Sequence, residues 1–134
     1  MVAPPATVEM ETKVRQIKIG RREIEDLAGL ELRHASQARR FVDNLARKYL
    51  GLRPETHEVI FDFNFLPMSQ QFLEGLCEAL YDRYHSDARQ LFKFLQPASD
   101  ADQRHLLERI AKNEGFNVTP QEITPDSMYT HNGK

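Results

Sequence analysis

Asp62 lies between Phe61 and Phe63 in the run VIFDFN, residues 59–64. A carboxylate among such neighbours is costly unless it is hydrogen-bonded. Its chemical use is as a site acid; its commoner use is to bond loop amides at a strand end. Ser69, Gln70 and Gln71 follow a loop containing Pro67 and open an amphipathic stretch. A hydroxyl at a helix start either caps free amides or accepts a phosphoryl group, and capping is the commoner role. The carboxyl end of a central strand and the amino end of the next helix also form a place where α/β sheets bind ligands.

Other chemistry finds little support. The chain has neither GxGxxG nor GxxxxGK[ST], so no phosphate loop is written in it. His34, His57, His85, His105 and His131 include no pair three or four residues apart, and with Cys77 they give no zinc spacing. Nothing in the motifs calls for a metal or a cofactor. Cys77 falls beside Leu76 in a helical stretch and reads as an inert buried thiol. A serine-hydrolase elbow, G-x-S-x-G, is missing. Arg33, Arg39, Arg40, Arg47 and Lys48 put positive charge on one helix, with Arg21 and Arg22 before it. Aromatic residues do not interleave with them and Asp43 dilutes them, so a solvated face is favoured over a nucleic-acid contact. Tyr81, Tyr84 and His85 suit either partner contacts or rim packing.

Alternating strands and helices position these residues. Residues 12–19 (TKVRQIKI) alternate, with a slip between Val14 and Ile17 that predicts a bulge or a short strand ending at Ile19. Residues 21–31 give a short helix or turn. Residues 34–50 carry an apolar stripe through Ala35, Ala38, Phe41, Val42, Leu45, Ala46 and Tyr49, and Gly51 ends that helix. Residues 58–64 predict a central strand covered on both faces. Ser69 caps a helix burying Phe72, Leu73, Leu76, Ala79, Leu80 and Tyr84; residues 91–95 (LFKFL) form another strand; and Ser99 to Asp102 start a helix burying Leu106, Leu107, Ile110 and Ala111. This order implies an α/β fold, a small and mainly parallel sheet with about three to four helices packed on it.

Composition bounds the rest. The 134 residues make one domain: an arm at 1–12, a core at 13–116 and a polar, partly mobile tail at 117–134. Net charge is -2, from 18 basic and 20 acidic residues, which gives no broad attraction to nucleic acid or an anionic membrane. No apolar run approaches the ~20 residues of a bilayer span. A single cysteine and a start without signal-peptide layout predict a cytoplasmic protein.

Residues 59–80 (VIFDFNFLPMSQQFLEGLCEAL) resemble the signature of the STAS-like domain family: a strand ending in Asp-Phe, a short loop, serine, then Phe and an acidic helix. Asp62, Phe63, Met68, Ser69, Phe72, Glu74 and Leu76 carry the match, and GLELRHASQARRF at residues 29–41 is similar to the stretch before the family's first helix. Asn64 and Phe65 replace the small Ser-Gly or Glu-Gly usual there, and Gln70 and Gln71 replace further serines.

The resemblance implies a non-enzymatic regulatory module of bacterial or phage origin, distantly like anti-sigma-factor antagonists. It would dock a protein partner, an ATP-binding kinase-like protein among the candidates, through Leu66, Met68, Ser69, Gln70 and Phe72, with Ser69 as phosphoacceptor. Two other readings stay open. One is a self-assembling homodimer using the mixed aromatic surface. The other is an enzyme holding Asp62 with His34 or His57.

Overall fold

The computed structural model describes residues 14–29, 31–97 and 100–120. Four strands form one sheet in the order β1 (Arg15–Ile19), β2 (His57–Asp62), β3 (Phe92–Leu95) and β4 (Asn117–Thr119), and every neighbouring pair is parallel. Helices α1 (Arg21–Ala28) and α2 (Ala35–Lys48) join β1 to β2, α3 (Gln70–Tyr84) joins β2 to β3, and α4 (Ala101–Asn113) joins β3 to β4. A helical turn through His85–Asp87 and Ala88–Leu91 links α3 to β3. The α/β class with a small parallel sheet is the one the pattern predicts. The arm at 1–12 and most of the tail lie outside the described residues, as does Ser99.

β1 is a short regular strand ending at Ile19, with Ile17 and Ile19 at alternate positions on the core side. Burial alternates along β2 and β3: Val59, Phe61, Phe92 and Phe94 are buried, whereas Glu58, Ile60, Asp62, Lys93 and Leu95 are only partly so. The expected strand with two covered faces is therefore replaced by one with a single packed face. The physical reason is the strand order. It never reverses, so right-handed crossovers all return over the same side of the sheet. The opposite face sets polar pairs beside Ile60 and Leu95: Lys18 pairs with Asp62 at 3.6 Å, Lys93 pairs with Glu58, and Gln16 donates to Glu58 at 2.7 Å. The Lys93 ammonium, aided by Gln16, holds the Glu58 carboxyl below its ordinary pKa.

The core is one cluster that the sheet shares with the helices. Ala38, Phe41, Val42, Leu45 and Ala46 of α2 are buried, as are Phe72, Leu73, Leu76, Cys77, Ala79 and Leu80 of α3 and Leu107, Ile110 and Ala111 of α4. These are the stripes that three- and four-residue spacing marks out. Ala35 differs: it stays exposed, but its backbone meets α3 at Gly75.

The tail expected from residue 117 onward contributes a strand. Asn117–Thr119 pairs with β3, and Gln96 donates its amide to the Thr119 carbonyl at 2.9 Å. Phe116 anchors that strand by setting its ring edge-on to Phe94, with centroids 5.4 Å apart. One buried ring and the half-buried Val118 are too short a pattern to read as a strand from sequence.

A Cβ added at Gly75 would lie 2.8 Å from both the Cα and the Cβ of Ala35. Gly75→Ala should therefore destabilise the fold by about 1–3 kcal/mol, despite alanine's better helix propensity. Urea denaturation measures it.

Candidate docking site at the carboxyl edge of the sheet

Parallel strands bring their carboxyl ends to one edge, and the register Phe61↔Phe94 and Asp62↔Leu95 sets the β2–α3 loop beside the β3–α4 loop. The β2–α3 loop opens with a tight turn in which the Leu66 amide donates to the Phe63 carbonyl at 3.0 Å. Asp62 is part of this turn's support. One of its carboxylate oxygens accepts from the Asn64 amide at 3.0 Å. It therefore serves as a strand-end acid bonding to a loop amide.

Beyond the turn, the backbone of Met68 is gripped from two sides. On one side, Met68 forms a parallel bridge with Leu32, and the Ser69 amide donates to the Leu32 carbonyl at 2.9 Å. On the other side the Gln103 side chain acts as a small strand. Its Oε1 accepts from the Met68 amide at 2.9 Å and its Nε2 donates to the Met68 carbonyl at 3.2 Å. The primary amide of glutamine has the donor and acceptor that such a two-point match needs. Gln103 itself stands in the first turn of α4, which Asp100 caps by accepting from the Asp102 and Gln103 amides at 2.9 and 3.2 Å.

Ser69 caps α3 as the sequence predicts. Its Oγ accepts from the Phe72 amide at 3.0 Å and donates to the Arg33 carbonyl at 2.6 Å. The hydroxyl thus ties the loop before α2 to the start of α3. A phosphoryl group on this oxygen would replace the hydrogen that Arg33 receives.

The five residues expected to meet a partner divide in two. Leu66, Met68 and Phe72 are buried in the core, so their side chains hold the turn up from beneath. Ser69 is partly exposed and Gln70 is on the surface. The residue that does project is Phe65, which sequence reasoning passed over: it is 64% exposed. Its φ is 67°, a region in which a bulky side chain is an outlier that costs roughly 1–2 kcal/mol. It occupies the third position of the Phe63–Leu66 turn, where positive φ favours glycine. The one sequence signal is the expectation, carried by the resemblance alone, of a small Gly-containing pair at Asn64 and Phe65.

Phe65 overhangs a pocket of about 170 Å³ that, among the described residues, is walled by Phe63, Leu66, Pro67 and Pro97, with Asp100 and Gln103 at its side. The sheet order limits what this edge can be. Ligand crevices in open α/β sheets form where the strand order reverses and neighbouring connections part to opposite faces. Here the order does not reverse, and the pocket between the two loops is only side-chain sized.

The residues of the enzymatic reading do not converge. His57 and Asp62 open and close the same extended strand, so they lie roughly 16 Å apart at about 3.3 Å per residue. His57 instead sits 2.8 Å from the Thr56 hydroxyl. His34 precedes α2 on the surface, with its amide bound to Gln37. Among the described residues no three His, Cys, Asp or Glu side chains gather as a metal set, and no described helix is long and apolar enough to cross a membrane. The arginine face of α2 borders an open groove of about 480 Å³. Glu78 of α3 meets Arg39 at 3.3 Å, and Arg83 of α3 approaches Asp43 at 3.8 Å. These pairs fit the solvated-face reading.

No family model, curated protein or solved structure matches the chain.

Two outcomes follow from the geometry. Gln103→Ala removes both bonds to Met68 and leaves its amide without that partner, so it should cost about 2 kcal/mol in urea or thermal unfolding. Burial also pushes the Cys77 thiol up to about 12. Iodoacetamide at pH 8 should leave it unmodified in the folded protein and alkylate it in denaturant. Rapid alkylation without denaturant would contradict the packing of α3.

Proposed function

We propose that the chain is a non-enzymatic protein-docking module of the STAS-like kind, which meets its partner through the turn at residues 63–70. The single observation that carries this reading is Phe65, a strained and exposed aromatic on a braced turn. Strain of this kind persists where surrounding structure over-determines it, and it clusters at binding sites. Exposed aromatics set in a firm frame supply most of the energy of many protein interfaces. Pro67, Ser69 and Gln70 form the rest of the surface around it. An ATP-binding kinase-like partner is the class that the family likeness implies. Phosphorylation of Ser69 would then act as the switch, by breaking the Arg33 bond and adding charge beside the docking ring.

The test pairs stability with capture. Phe65→Gly relieves the backbone strain while making the unfolded chain freer. The net expectation is a gain of about 0.5–1 kcal/mol in unfolding free energy. Used as bait in affinity capture from the native host, with and without ATP, the same variant should lose the partner that the native chain retains. Equal capture by both baits would overturn the reading, and the stability gain would show that the loss is not unfolding.

A further inference from the structure

The pocket beside Phe65 has a chemical asymmetry. Its walls are a phenyl ring, a leucine and two prolines, yet Asp100 stands at its side. One carboxylate oxygen of Asp100 accepts the two helix amides. No Lys or Arg side chain among the described residues pairs with Asp100; the neighbouring Arg104 donates to the Pro97 carbonyl at 3.3 Å. The amide of Gln103 is occupied by Met68. Among the described residues, the charged group at this apolar slot is therefore the Asp100 carboxylate, which lines it together with the exposed Phe65.

Resting on the docking reading, we propose that the partner presents an arginine side chain to this pocket. A guanidinium is planar and weakly hydrated, stacks on an aromatic face, and pairs with a carboxylate at its edge. Its methylene stem suits walls of proline and leucine. The volume agrees: a cavity of about 150 Å³ accommodates one benzene-sized group, and this one measures about 170 Å³. A phosphorylated or acidic side chain would face the Asp100 carboxylate and be repelled. A purely apolar side chain would fill the slot but bring no charge to pair with Asp100.

The experiment titrates the isotope-labelled full chain with N-acetyl-arginine methylamide and, separately, with its leucine and phenylalanine counterparts, following backbone amide signals by NMR. The arginine compound should shift Phe65, Leu66 and Gln103 saturably and bind about ten-fold tighter than the other two. Asp100→Asn keeps a good helix cap, so the fold survives; it should weaken arginine binding about five-fold and leave the others unchanged. Equal affinities for the three compounds, no effect of Asp100→Asn, or no shift at any concentration would each overturn the arginine assignment. None of those results touches the docking reading, which falls only if Phe65→Gly still captures the partner.

Discussion

Phe61 makes contact with four other phenyl rings, and the rest of the structure hangs on that cluster. Phe41 of α2, Phe63 at the end of β2, and Phe92 and Phe94 of β3 surround it with centroids 5.4–5.9 Å away. Aromatic rings bury more area than other side chains and add orientation-dependent attraction. Five of them in one place fix the pairing of β2 with β3, since a slip of one residue would turn the rings to the polar face. That register brings the turn after Asp62 level with Gln96 and Pro97. The position of this turn is thus a consequence of the core, one residue beyond its last packed ring.

From that point, hydrogen bonds take over from packing. The β2–α3 loop leaves the sheet with apolar side chains pointing down and its backbone exposed to demand for partners. Leu32 meets that demand on one flank and Gln103 on the other. Ser69 ties the same loop to Arg33. Each net hydrogen bond contributes only about 1 kcal/mol, but an unpaired buried amide costs more, so together they leave the loop little choice. Such a frame can hold Phe65 in a conformation that it would avoid in a free peptide. The strain and the bracing are two aspects of one arrangement.

Much of this was legible in the residues. The stripes of α2, α3 and α4 follow helical spacing, Ser69 is a readable cap, and Asp62 is a readable strand-end acid. What escaped has a physical cause in each case. Gln103 lies 35 residues from the backbone it clasps, and nothing local distinguishes it from a surface glutamine. β4 is three residues long, and its apolar pattern is one buried ring, Phe116, and the half-buried Val118. The single covered face of the sheet is a property of strand order, which β2 alone cannot express. Leu66 and Met68 were legible as part of the turn but not as its foundation, because an apolar residue in a loop reads equally as contact or as support; Phe72 was legible as buried from its helical stripe. Phe65, at a turn position that favours glycine, gave no local sign of its exposure.

The turn is a rigid platform holding a strained ring. Backbone ¹⁵N relaxation of residues 63–70 tests it most directly, with Phe65 as the decisive signal. Order parameters of about 0.85 are expected through the turn, equal to those of α3. Values below about 0.6 at Phe65 and Met68 would contradict it, because a mobile loop neither stores strain nor presents an anchor in one place.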